Sequence, residues 1–241
     1  MKTTKLKQDQ TRRLIVRAAV DLITEHGYDA TTMKQVARSA GIGDATIYKY
    51  FSTKEKLLIA YYELTIADVL KDTAAIADLD KYSLHERLQL LVDGVLAAML
   101  GDREFVDITR TIVGRSPLLM MRDGMPGQQI LKQQVGALLT EAEERGEIAQ
   151  CDFKEMIAGL FADYLFSVIV YWLKDDTDEF SNTTQLVELT LAVLVLTLKS
   201  GLANKLSELA GFMVRSQMTR LMQNSSGLLD MLKVAQRGLR G

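Results

Sequence analysis

Helix-breaking residues are so scarce in this chain that long helices are the main structure it can form. Only two prolines occur in 241 residues, Pro117 and Pro126, and both fall within the segment 114–127. Residues that favour helices are abundant, and no useful stretch alternates apolar and polar side chains as a strand does. The sequence therefore predicts an all-α fold in which 114–127 is the main irregular connection.

Apolar spacing predicts a head of short helices followed by a body of long ones. The first helix should stop at Gly27, and the fourth should run from about Ser52 to Asp72. Residues 1–56 are predicted to form one domain and residues 57–241 a helical body. The remaining body helices are predicted at 84–100, 105–113, 128–145, 153–173 and 184–198.

Two capping boxes and one turn organise the head. Thr32 with Gln35, and Ser52 with Glu55, have the form of a hydroxyl residue followed three positions later by Glu or Gln. Gly41 lies between two short helices and supports the left-handed conformation that such a turn uses. This is the helix-turn-helix plan, predicted here for residues 32–51, in which the second helix enters the major groove of DNA.

Charge is distributed unevenly along the chain. Residues 1–56 carry a net charge of +5 and residues 57–241 a net charge of −7. A basic head on an acidic body suggests that the head binds a polyanion, although a basic terminus is also often only solvated. Cys151 is the single cysteine, and the two histidines leave no nucleophile–base pair, so we expect neither an enzyme nor a cofactor or metal site.

Targeting and membrane signals are not expected. The first 13 residues have no apolar run after their charges. The apolar stretches 157–173 and 186–198 are interrupted by Asp163 and Glu188, and each is shorter than the roughly 20 residues of a membrane span. We interpret both as buried bundle helices and expect a cytoplasmic protein without membrane contact.

The second helix of the helix-turn-helix is short and polar, which suits a DNA-reading element. Its exposed face should present Asp44, Ala45, Thr46, Lys49 and Tyr50, while Ile47, Tyr48 and Phe51 should point inward. The amides that open the fourth helix, with Lys54 beside them, should be able to bind a phosphate.

These motifs resemble the DNA-binding domain of the TetR family of bacterial transcriptional regulators. The resemblance covers about 50 residues and rests on the following pairs and runs: Gly27-Tyr28, Thr31-Thr32, Val36-Ala37, Ala40-Gly41-Ile42, Thr46-Ile47-Tyr48-Lys49-Tyr50-Phe51 and Lys54-Glu55-Lys56-Leu57. Gly43 departs from the family pattern, which often has Ser there. The resemblance implies that the head contacts DNA through Thr32, Lys34, Gly43, Asp44, Ala45, Thr46, Tyr48, Lys49, Tyr50 and Lys54.

Two of these residues have alternative roles. Asp44 could cap its own helix, or it could accept a hydrogen bond from a cytosine amino group. Tyr48 is expected both to pack in the core and to contact DNA.

The resemblance also implies that the body binds a ligand and forms a homodimer. The helices 153–173 and 184–198 would make a four-helix bundle with the partner copy, so that two recognition helices read a palindromic operator. The expected function is a repressor that a small apolar effector releases from double-stranded operator DNA. The alternative is a DNA-binding protein on the same fold that a protein partner controls.

The effector site is expected between the fourth helix and the helices 84–100, 105–113 and 153–173, with the fourth helix acting as a lever. Asp163 needs a partner because it lies in an apolar helix; that partner is either a structural Arg or Lys or the ligand itself. Each apolar candidate could equally be plain core. The candidates for the pocket are Met99, Phe105, Arg110, Met120, Met121, Phe161, Asp163, Tyr164 and Trp172.

The chain continues beyond the last bundle helix. Residues 203–241 carry a net charge of +4 and contain two amphipathic pieces, at 203–222 and 228–239. We predict a helical extension that packs on the body or across the dimer. Alternatively, it is a basic amphipathic element for a membrane surface or a partner helix.

Overall fold

A computed structural model describes residues 2–115, 127–202, 204–206, 208–209 and 211–216, and all regular structure in these residues is helical. The all-α prediction is confirmed. Two short 3₁₀ turns occupy Leu79–Lys81 and Asp178–Phe180. The α-helices are α1 Lys2–His26, α2 Met33–Ser39, α3 Asp44–Tyr50, α4 Lys54–Ala74, α5 Leu84–Leu100, α6 Arg103–Arg115, α7 Gln128–Glu144, α8 Lys154–Trp172 and α9 Ser181–Lys199.

The predicted helices lie close to the observed ones. α5 spans the predicted residues, and the other body helices differ by at most three residues at either end. Residues 116–126 lie outside the described residues, and with them both prolines and most of the predicted irregular connection. The largest shift is at the start of α9, which begins at Ser181 directly after Phe180, a residue with a left-handed φ of 56°.

One predicted capping box is present and the other is not. Thr32 accepts from the Gln35 amide at 3.3 Å, and the Gln35 side chain accepts from the Thr32 amide at 2.8 Å. The prediction for Ser52 is wrong, because the N-cap of α4 lies one residue later than expected. Thr53 is its N-cap and accepts from the Lys56 amide at 3.3 Å.

The head is built from α1, α2 and α3 packed on the start of α4. Ile15, Val36 and Ile47 are fully buried at its centre. Gly27 and Gly41 adopt left-handed φ values of 83° and 68°, as the turn prediction requires. The two turns orient α3 so that one face packs on this core and the other faces solvent.

The body places α4 against α5, and α7 along α8. Its apolar centre includes Leu88, Val92, Leu139 and Ala158, each with an exposed fraction of zero. α1 also contacts α4 and α6, so the head is joined to the body by side-chain packing as well as by the continuous helix α4.

Candidate DNA-binding surface and effector site

The solvent face of α3 presents the predicted DNA-reading residues. Ala45, Tyr48 and Lys49 are exposed, while Asp44 and Thr46 are half-buried. Gly43 is the N-cap of α3 and supplies no side-chain hydrogen bond. The first amides of α3 are therefore not covered by a capping side chain.

The prediction that Tyr48 packs in the core is wrong. Its side chain is 51% exposed, whereas Ile47 and Phe51 are 0% and 3% exposed. Residues 47 and 51 lie four positions apart on one helix face, and residue 48 is turned away from that face. Tyr50, which was expected on the outer face, is half-buried and packs against the core. Tyr48 is thus the large aromatic side chain that α3 offers to a ligand such as DNA.

Asp44 does not cap α3, so that interpretation is wrong. The N-cap position belongs to Gly43, and Asp44 is the first residue of the helix. A carboxylate in the first turn interacts favourably with the helix dipole. Asp44 is half-exposed, and its contact with a base amino group stays a prediction.

Lys54 ties the start of α4 to the turn after α1. Its Nζ donates to the carbonyl oxygen of Tyr28 at 2.6 Å and lies 4.3 Å from the centre of the Tyr28 ring. An ammonium group has three N–H donors, so two remain for a phosphate. On α2 and just before it, Lys34 and Thr32 are exposed.

Part of the positive charge of the head is paired with carboxylates of the body, on arginines that are partly exposed to solvent. Arg12 contacts Glu63 at 3.0 Å, and Arg17 contacts Asp102 at 2.7 Å. Arg13 donates to Asp68 at 2.9 Å. These pairs join α1 to α4 and to the turn before α6, so the charge asymmetry read from the sequence is partly an internal feature of the fold. These pairs could not be predicted from the sequence, because their members lie at least 51 positions apart.

The apolar pocket candidates lie in the core of the body. Met99, Phe105, Phe161 and Trp172 are at most 3% exposed. They therefore pack with other side chains in the described structure, as the core interpretation predicted. Met120 and Met121 lie outside the described residues.

The polar pocket candidates have protein partners. Arg110 donates to Asp107 at 2.8 Å, and the Tyr164 hydroxyl lies 2.6 Å from Thr190 Oγ1. Asp163 is exposed and accepts from Gln128 Nε2 at 2.9 Å. The expected Arg or Lys partner for Asp163 is thus wrong, because the carboxylate is solvated and needs no counter-charge.

An aromatic cluster at the contact of α4 with α6 was not among the predicted site residues. The Tyr61 ring lies 4.7 Å from that of Phe105 and 5.2 Å from that of Tyr62. The Tyr62 hydroxyl lies 3.1 Å from Thr109 Oγ1. The buried Tyr61 hydroxyl has no hydrogen-bond partner among the described residues. Burial raises the pKa of both phenols, that of Tyr62 to about 12, so both stay protonated.

The clefts lined by described residues include three on the body and at its contact with α1. One of about 30 Å³ lies between α4, α5 and α7, beside Arg87 and Leu138. A second of about 160 Å³ lies between α5 and α9, and Trp172 lines it. The third, of about 280 Å³, lies between α1 and the turn before α6, and Phe105 lines it. These volumes suit a water or a small molecule.

α8 and α9 expose a second kind of surface, which is apolar. Leu160, Leu189, Val193 and Leu196 are between 58% and 68% exposed. Each helix has 19 residues. By length and composition alone, both are long and apolar enough to cross a membrane. The same test is also passed by helices that are covered by protein.

Family models match both parts of the chain. Residues 15–61 match the bacterial regulatory proteins of the tetR family, and residues 87–213 match the tetracyclin repressor-like C-terminal domain. The first range contains α2 and α3 whole, and the second contains α6 to α9.

Individual proteins give the same picture. The fatty acid metabolism regulator protein of Bacillus subtilis is 27% identical over 204 residues, which cover 83% of this chain and all of that protein. The regulator BetI of Rhizobium meliloti is 36% identical over 81 residues, covering 34% of this chain and 39% of BetI. A regulator from Syntrophomonas wolfei has the same fold, with a TM-score of 0.61 and 16% identity, covering 78% of this chain and 96% of that one.

Proposed function

Because the chain belongs to the tetR family of bacterial regulatory proteins, we propose that it is a dimeric repressor, which a small apolar effector releases from a palindromic operator. It is a DNA-binding transcriptional regulator, as the members of this family are. The observation that supports the proposal most is the pairing of two surfaces on one chain. A solvated polar helix faces outward from the head, and an unpaired apolar face lies on α8 and α9.

The proposed DNA surface is the outer face of α3 with the adjoining helix starts. Tyr48 and Lys49 are its most exposed aromatic and basic side chains. Thr46 and Asp44 lie beside them, where they can reach base edges or phosphates. Lys54 would add a phosphate contact through the two donors that Tyr28 leaves free.

The proposed dimer forms through α8 and α9 of two copies. An apolar patch of this size is unfavourable in water. It consists of the exposed side chains of Leu160 on α8 and of Leu189, Val193 and Leu196 on α9. A two-fold axis through this face also supplies the second recognition helix that a palindrome needs. Because the proposed target is bacterial DNA, the proposed location of the protein is the cytoplasm.

The proposed effector site lies where α4 meets α5 and α6. Its polar contact is the Tyr61 hydroxyl, which is buried and makes no well-formed hydrogen bond among the described residues, with Asp102 and Thr65 as its polar neighbours. Phe105, whose ring lies 4.7 Å from that of Tyr61, is the apolar neighbour there. The similar Bacillus subtilis protein is named a fatty acid metabolism regulator, which supports an apolar effector with one polar group. An effector wedged here would move α4, which carries α3.

The test uses operator binding by the full-length protein with and without candidate effectors. Wild-type protein should bind a palindromic duplex from its own promoter region, and an active effector should lower that affinity at least tenfold. Tyr61→Phe should bind the operator as wild type does but need a higher effector concentration for release. Equal effector response in both proteins would remove Tyr61 from the site. Failure to bind any duplex would contradict the proposal as a whole.

A further inference from the structure

The helical chain beyond α9 exposes apolar side chains. Helical backbone is described at residues 202, 204–206, 208–209 and 211–216, which we name the C-terminal segment. Leu202, Leu206, Leu209 and Met213 are between 49% and 60% exposed. The prediction that the extension packs on its own body is therefore wrong for these side chains. Packing across the dimer remains.

Four of these exposed residues form one stripe, while the exposed Phe212 and Val214 lie to either side of it. Leu202, Leu206, Leu209 and Met213 follow one another at spacings of four, three and four residues, which aligns them along a single helix face. This is the spacing of a helix that packs along another helix. Glu208 lies off the stripe and pairs with Lys205 at 3.0 Å. The segment thus has an apolar stripe with an ion pair beside it.

The base of the segment is held beside the proposed dimer surface. The Asn204 side chain donates to the Gln150 carbonyl oxygen, and the Ala149 amide donates to the Leu198 carbonyl oxygen at 3.2 Å. Both contacts bring the end of α9 to the loop that leads into α8. The apolar stripe therefore starts at the end of the molecule where α8 begins and α9 ends.

Exposed apolar side chains of α8 and α9 lie toward that same end. Met156 and Leu160 belong to the first half of α8, and Val193 and Leu196 to the last half of α9. All four are at least 55% exposed. The stripe of the C-terminal segment begins six residues after Leu196, across the turn at Gly201, and so starts close to this surface.

We infer that the C-terminal segment docks on a second copy of this chain and extends the dimer interface beyond α8 and α9. The inference rests on the proposed dimer. A two-fold axis brings the same stripe from both copies together, so an apolar stripe is complementary to itself without any charge matching. Residues 202–216 carry two basic and one acidic side chain, which is a weak attraction for an anionic membrane.

The experiment compares dimer dissociation constants of full-length proteins by fluorescence-detected sedimentation. The test variant is Leu206→Ser with Leu209→Ser, two exposed stripe positions. The matched control is Lys205→Ser with Glu208→Ser, two exposed positions off the stripe with no change in net charge. The test variant should dissociate at least tenfold more readily than wild type, and the control should match wild type. Circular dichroism should report equal helix content in all three.

The outcomes separate this inference from the proposed function. A wild-type dimer whose affinity is unchanged by Leu206→Ser with Leu209→Ser would overturn the inference and leave the dimer intact. A wild-type monomer at micromolar concentration would overturn both. If wild type sediments with phosphatidylglycerol vesicles, and only the stripe variant loses this binding at an unchanged dimer constant, the stripe serves a membrane and the inference is wrong.

Discussion

The head and the α8–α9 pair solve the burial of apolar residues in opposite ways. In the head, Ile15, Val36 and Ile47 close a complete core, and the face of α3 left in solvent is mostly polar. In the α8–α9 pair, Val187 and Leu191 are buried while Leu189 and Val193 on the same helix are exposed. The head is complete within one chain, whereas the helix pair is complete only when protein covers it. The DNA-reading residues lie in the head. The pairing of two heads on one palindrome nevertheless depends on the body.

The largest expected effect comes from a charge on the exposed face of α9. Val193→Asp places a carboxylate where the partner copy would exclude water, and an unpaired buried charge is strongly unfavourable. The variant should be monomeric and should lose about 100-fold or more in operator affinity. Light scattering and fluorescence anisotropy measure the two quantities. Gln133→Asp, an exposed position on α7, is the matched control and should stay dimeric. If Val193→Asp stays dimeric, the exposed face of α9 is not covered by the partner copy.

The next effect concerns the link between the two regions. Arg103 Nη2 lies 3.0 Å from each of the carbonyl oxygens of Trp172, Leu173 and Asp175, which end α8. The neighbouring Asp102 binds Arg17 of the head. Arg103→Met should lower the free energy of unfolding by about 2 kcal/mol, because three half-buried carbonyl oxygens lose a charged donor.

The control for this prediction is Arg110→Met on the same helix. Arg110 makes a local pair with Asp107, and such pairs contribute about 0–1 kcal/mol. Urea denaturation of both variants measures the difference. Equal losses would mean that Arg103 does not hold the end of α8 in solution.

A smaller effect is expected in the head itself. Tyr48→Ala should weaken operator binding about tenfold, since the ring is exposed and supports no core contact whose loss would unfold the domain. The dimer constant and the melting temperature should stay at wild-type values. Leu14→Ala removes another exposed side chain of the head, on α1, and should leave operator affinity unchanged. A Tyr48→Ala protein that binds like wild type would exclude the ring from the DNA contact.

The smallest effect is a pH dependence at the start of α9. Hydrogen bonds from Thr177 and Thr183 lower the pKa of the Asp175 carboxyl to about 2. Because this folded-state pKa lies below the ordinary value of about 4, the carboxylate stabilises the fold fully above about pH 4. That contribution is lost as the pH falls toward 2. Asp175→Asn should therefore unfold at lower urea than wild type at pH 6, with a gap that narrows below pH 4. A constant gap would contradict this.

Several local features of the chain were predicted correctly from the sequence, and its long-range contacts were not. The Thr32 cap, the Gly41 turn and the limits of α5 depend on neighbours within a few residues, and all were recovered. The Ser83–Glu86 capping box has the same S-x-x-E form as the others and could have been read from the sequence, but it was missed.

Features that depend on distant partners could not be read from one sequence. Arg17 meets Asp102 across 85 positions, and Asp163 meets Gln128 across 35. The placement of Tyr48 failed for a local reason, because a seven-residue helix has too few positions to fix its buried face by periodicity. Packing of Ile47 and Phe51 decides that face.

The measurement that tests the account most directly is the distance between the two copies of α3 in the operator complex. A spin label on Ser39→Cys, an exposed position at the end of α2 that is outside the proposed DNA contacts, reports by pulsed dipolar spectroscopy how far apart the two copies of α3 lie; the native Cys151 is buried and should not be labelled. The account predicts one narrow distribution at about 34–36 Å, the separation of successive major grooves on one face of DNA. Absence of an intermolecular distance, or a separation far from this value with operator bound, would contradict a dimer that reads a palindrome through two recognition helices.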